Sequence, residues 1–317
     1  MPGAPPGSIG LYGPGSEAWR LNREALLLLA AGPRALLMQV AHPLVAEGVD
    51  QHSDFRADPW RRLEGTLRSY LAIVYGSTRR AQGEIRRLNA LHRSIAGPVR
   101  DPVARAGHGA AYRARDPELS LWVHATLVDS TIVAADRWLA PVPRARRARF
   151  YAETVPIGRA FGIPGALLPA DLDAFERYLA DQVAPAGPVH PTRVARDIAA
   201  AILAPPLGPV VPALGWVPAR LYSWTLWPSI GLLPAPLRNE YGFAWGRRER
   251  FVAAWLLAAW RAWRPVLPPS FRQMPQALAA DRRVMEVATQ PRTGRTRPTL
   301  PSRPRLLPAG RIRPRAP

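Results

Sequence analysis

The chain has 317 residues, 48% of them hydrophobic, enough apolar material for one large domain or two small ones. It has no cysteine, which excludes disulfides, thiolate catalysis, Cys-bound zinc, iron–sulfur clusters and thiolate-ligated iron. The formal charge is +20, from 43 basic residues, all arginine, against 23 acidic ones, and eight of those arginines lie between Pro291 and Pro317 with no acid among them. A basic total points toward nucleic acid or an anionic surface, but the share held by that last stretch weakens the inference for the rest of the chain.

Residues 1–15 are Gly- and Pro-rich, without the charged and apolar regions of a signal peptide, and read as a flexible start. No run of 18 apolar residues appears, so the expectation is a soluble, cytoplasmic protein. Helix signals then dominate. Ser16 caps a first helix over Glu17–Ala31, Gly32-Pro33 breaks it, and a second runs from Pro33 to about Gly48. Asp58-Pro59 starts a helix ending at Tyr75 before Gly76, and Ser77 opens another to about Gly97. Asp116-Pro117 starts one to Leu139. Further helices are expected over Pro143–Phe161, Ala170–Val183, Thr192–Leu203, Arg247–Trp263 and Pro275–Val287. Strand alternation and hairpin turn pairs are scarce. Residues 205–237 are Pro-rich and apolar, with Arg220 as their one charge, and the Trp/Tyr-rich Leu221–Pro228 suits either a pocket lining or a peripheral membrane contact. Residues 289–317 are Pro/Arg-rich and expected to be disordered. The fold class is therefore all-α: one helical domain over 16–288 with a disordered tail.

The six histidines carry most of the chemistry that the sequence offers. His108 reads as loop, and His190, before Pro191, as a cap or surface residue. His42, His92 and His124 sit in apolar helical stretches, where a hydrogen-bonded core role is the ordinary expectation. Three in one apolar bundle also suit iron ligation, since a desolvated neutral imidazole is a good ligand. Zinc, P-loop, dinucleotide and G-x-S-x-G motifs are absent, as is the Glu-x-x-His pair of di-iron bundles. Arg62 and Thr66 are four apart and share a helix face, where Arg can meet an anionic group.

Several motifs in order then resemble one family. They are Ala35–Pro43 (ALLMQVAHP), Gly48–Phe55 (GVDQHSDF), Asp58–Arg62 with Thr66, Ile85–His92 (IRRLNALH), Tyr112–Pro117, Leu121–Ser130 (LWVHATLVDS) and Asn239–Trp245. The stretch from about 15 to 288 resembles the rubber-oxygenase catalytic-domain family, which includes the latex-clearing proteins and the fungal oxygenase MpaB. The resemblance implies an all-helical bundle around haem b that cleaves isoprenoid double bonds with dioxygen. It implies that the Arg-x-x-x-Thr pair near the haem is Arg62 and Thr66, and that the iron ligand is His92. The distal Lys and Glu of rubber cleavers have no secure counterpart, since the chain has no Lys; His42, His52 or His124 are the candidates for a distal part. The partners expected are a hydrophobic small molecule and dioxygen, with no specific nucleic acid. The rival readings are a haem protein without oxygenase turnover (peroxidase-like, sensor or storage) and a basic nucleic-acid-binding module.

Overall fold

The computed structural model describes residues 9–53, 59–204 and 223–289, and these form an all-helical fold with one two-stranded ribbon. Residues 9–15, expected to be flexible, pack on the body. Tyr12 is buried, and Arg283 donates to the carbonyls of Ile9 (3.0 Å) and Tyr75 (2.6 Å). A Cβ at Gly10, whose φ is +136°, would meet the Gly76 carbonyl at 2.6 Å, so the approach of this segment to the bundle needs glycine.

Helix α1 (Glu17–Leu21) starts where the Ser16 hydroxyl accepts from Trp19 N and where Glu153 accepts from the amides of Glu17 and Ala18. It stops at Asn22, short of the expected end. Helix α2 (Ala25–Ala41) then runs through Gly32-Pro33 without breaking. Proline forfeits one backbone hydrogen bond there, but α2 is the central helix of the core, with Leu27, Leu37, Met38 and Ala41 buried. Arg34, buried one residue later, ties the helix down. Its guanidinium meets Asp129 (2.7 Å), Ser130 Oγ (2.7 Å) and the Leu232 carbonyl (2.7 Å). Tertiary packing thus overrides the break expected from local sequence. The turn falls instead at His42-Pro43, where α3 (Pro43–His52) leaves at 105° to α2.

Helices α4 (Pro59–Tyr75) and α5 (Thr78–Ser94) form an antiparallel hairpin through Gly76, where a Cβ would lie 2.2 Å from the Ala72 carbonyl. Ser77 caps α5 by accepting from Arg80 N. Past Ser94 the expected helix gives way to β1 (Ala96–Pro98), which pairs antiparallel with β2 (Ala111–Arg113) in the register Gly97↔Tyr112. Helix α6 (Pro102–His108) lies between the strands. Strands of three residues are too short to show alternation in the sequence.

Helix α7 (Pro117–Trp138), capped by Asp116, packs along α2 and supplies much of the core. Trp122 is fully buried and its indole N–H donates to the carbonyls of Met38 and Gln39. Helices α8 (Arg144–Ala160), α9 (Leu172–Gln182) and α10 (Arg193–Leu203) follow close to their expected bounds. After a 3₁₀ turn (Ser223–Leu226) come α11 (Trp227–Gly231), α12 (Ala235–Glu240), α13 (Arg247–Trp263), α14 (Pro269–Arg272) and α15 (Pro275–Thr289). The expected Asp58 cap, most of the 205–237 stretch and the tail from 290 lie outside the described residues. Among the described residues no single helix is long and apolar enough to cross a membrane.

Candidate active site

The α4–α5 hairpin organises the site that the sequence pointed to. On α5, Ala81 and Ile85 are buried and Leu88 is half-buried, and the spacing carries this inward stripe on to His92, itself half-buried. On α4, residues 62, 66 and 69 share one face. Ser69 on that face accepts from Arg87 across the hairpin (3.1 Å), and Thr66 is half-buried. The fold therefore sets the helix face of Arg62 and Thr66 against the helix of His92. The side chain of Arg62 lies outside the described residues.

The other two helix histidines are placed differently. His124 on α7 has a ring Nε2 sealed from solvent with no hydrogen-bond partner among the described residues. Burial lowers its pKa to about 4. Its ring packs on α8, since Nε2 is only 3.4 Å from where a Cβ on Gly158 would stand, and Leu168 closes the same spot at 3.0 Å.

His42 caps α3. Its Nδ1 accepts from Leu44 N at 3.2 Å, which in the neutral ring leaves the proton on Nε2. Burial lowers its pKa to about 3, helped by two neighbours that the sequence did not group with it. His108, at the end of α6, has its ring centroid 5.1 Å from that of His42, and His190 stacks on His108 at 5.9 Å. Burial and His190 lower the His108 pKa too. The three are 66 and 82 residues apart in sequence, and no local pattern marks their meeting. His52 is exposed, with Nε2 3.2 Å from the Ala96 carbonyl. Glu47 is a second residue that sequence reasoning passed over. Buried on α3, it accepts from the amides of Arg100 and Asp101 and from Gln51, so it fastens the loop before α6.

Among the described residues no three His, Cys, Asp or Glu side chains converge on a metal ion. A porphyrin iron asks less of the protein, because one axial imidazole and an apolar wall suffice. His92, half-buried at the end of an apolar stripe, fits that role, whereas Nδ1 of His42 is already engaged as a helix cap.

Beside α5 lies a cavity of about 400 Å³, lined by Leu11, Tyr12, Ile85, Pro156 and Ile157 among others. This volume is within the range of small-molecule sites. Of its polar lining residues Ser16, Gln82 and Glu153, the first and last are already engaged at the start of α1. Ile85 is two helical turns before His92, about 10 Å along the axis.

Residues 19–264 match the model of a family described as ER-bound oxygenase mpaB/B′/rubber oxygenase, catalytic domain. The chain belongs to this family. The match meets the family expectation, and the fold itself meets the all-helical one. Two curated relatives, Mb2261 of Mycobacterium bovis and Rv2237 of Mycobacterium tuberculosis, are each 28% identical over 159 residues and are described as uncharacterized. The matched stretch covers 48% of this chain and 58% of each relative. No solved structure matches.

Proposed function

We propose that this member of an oxygenase family is a haem b-dependent oxygenase that acts on a hydrophobic, isoprenoid-like substrate with dioxygen. The observation that carries the reading is His92, which ends the buried stripe of α5 beside the α4 face of Arg62 and Thr66. Haem held there supplies dioxygen binding and oxidation. The chain supplies position and environment. His92 would hold the iron through its imidazole, and Ala81, Ile85 and Leu88 would keep water from the wall beside it. Arg62 balances an anionic propionate, and Thr66 gives the same face a hydroxyl for hydrogen bonding. The cavity under Ile85 holds the apolar substrate. His42 and His124 stay outside the iron's coordination in this reading, the first as a helix cap and the second as a packed core imidazole.

The test is oxygen uptake by the haem-loaded protein with a short polyisoprenoid. Uptake that depends on both partners is expected. In Ile157→Trp, which narrows the cavity, KM rises several-fold while haem content stays unchanged. Haem bound without any substrate-dependent uptake would make this a peroxidase-like, sensor or storage protein instead.

A further inference from the structure

Helix α13 has seventeen residues and none of them is buried. Its inner side, with Leu256, Leu257 and Trp260, packs partly on the core. The outer side should then be polar, as on most surface helices. It is not. Arg247, Phe251, Trp255, Ala258 and Ala262 follow one another at helical spacing and are all exposed, Phe251 at 71% and Trp255 at 56%. Trp263 closes the helix at 67% exposure. Every exposed large aromatic residue among the described ones lies between Trp224 and Phe271, so this is one region rather than scatter.

The charges around the stripe say what fits it. Arg247 and Arg248 stand at its start, and Arg248 also lies over the Trp227 ring at 5.5 Å. Glu249 is the sole acid of the helix, and its carboxylate accepts from Gly246 N at 2.8 Å. No acidic side chain stands on the stripe to meet a basic partner. A second copy of this chain would bring another +20 of charge, and residues 205–222 offer only Arg220, which is also basic. Aromatic and small apolar residues edged by arginine are the composition that lies in the interface of an anionic bilayer.

We propose that the outer face of α13 docks on an anionic membrane surface, with Phe251 and Trp255 entering the acyl boundary and Arg247 and Arg248 meeting lipid phosphates. The helix lies flat there. The inference is independent of haem and of the reaction, since no residue of the α4–α5 site takes part.

The experiment is co-sedimentation of the full chain with phosphatidylcholine vesicles containing one quarter phosphatidylglycerol, and with phosphatidylcholine alone. The wild type is expected to partition to the anionic vesicles. The double variant Phe251→Ser/Trp255→Ser keeps the arginine-rich tail, so what it loses belongs to α13. A loss of at least tenfold is expected, with the melting temperature unmoved. Arg247→Gln is the milder variant, and about a fivefold loss is expected on anionic vesicles only. Partition that is weak in the wild type, or equal in the wild type and both variants, would overturn the proposal. So would a wild-type dimer that the serine variant splits without any change in vesicle binding, because the stripe would then be a self-association face. Unfolding of both variants would also overturn it, because the stripe would then be packed.

Discussion

Helices α7 and α13 are both long, apolar and tryptophan-bearing, yet the fold uses them in opposite ways. In α7 twelve residues are buried, Trp122 completely, and the helix is clamped along α2. In α13 none is buried, and the two aromatics at the centre of its outer side face solvent. The local signals for the two helices are alike, so helix formation alone does not decide which apolar surface becomes core. What decides it is the partner: α7 meets α2 and the buried Arg34–Asp129 pair, whereas the outer side of α13 is exposed among the described residues.

Variants should separate these two kinds of apolar surface. The largest effect is expected from Trp122→Ala, which removes the central ring of α7 and the indole N–H that donates to the carbonyls of Met38 and Gln39. A loss of about 4 kcal/mol in denaturant unfolding is expected. Next is Arg34→Ala, which leaves Asp129 and the Leu232 carbonyl without their partner, at a cost of about 3 kcal/mol by the same measurement. Phe251→Ser/Trp255→Ser should change stability by less than about 0.5 kcal/mol, because the residues are outside the core. A loss as large as that of Trp122→Ala would erase the distinction.

Between these lies an effect of pH. Both His42, at about 3, and His124, at about 4, have folded pKa values below the ordinary 6.5. The unfolded chain therefore takes up protons that the folded chain refuses. Stability is full above about pH 6.5 and falls as the pH drops below it. From His42 alone the loss by pH 5 is on the order of 2 kcal/mol. His42→Asn keeps a helix-capping side chain without the titration, so its stability profile should be flatter between pH 7 and 5. A profile as steep as the wild type would place the acid sensitivity elsewhere.

Much of the helical layout was legible because caps and breakers are local. Ser16, Ser77, Asp116 and Thr192 each mark a start that the structure keeps. Pro33 misled because its cost is local while the burial of α2 is tertiary. The ribbon of β1 and β2 was too short to show a period. The stripe from Ala81 to His92 was readable, since it lies on one helix. The grouping of His42, His108 and His190 was not, because three separate elements build it. The outward turn of α13 was hidden too, since an apolar stripe looks the same whichever way it faces.

The central claim rests on His92. The direct measurement is haem content, by pyridine haemochrome, of the wild type and of His92→Ala, His124→Ala and His42→Ala reconstituted in parallel, with far-UV CD to check the fold. The account predicts near-stoichiometric haem in the wild type, in His124→Ala and in His42→Ala, and loss in folded His92→Ala. Haem retained in His92→Ala and lost in one of the other two would contradict it.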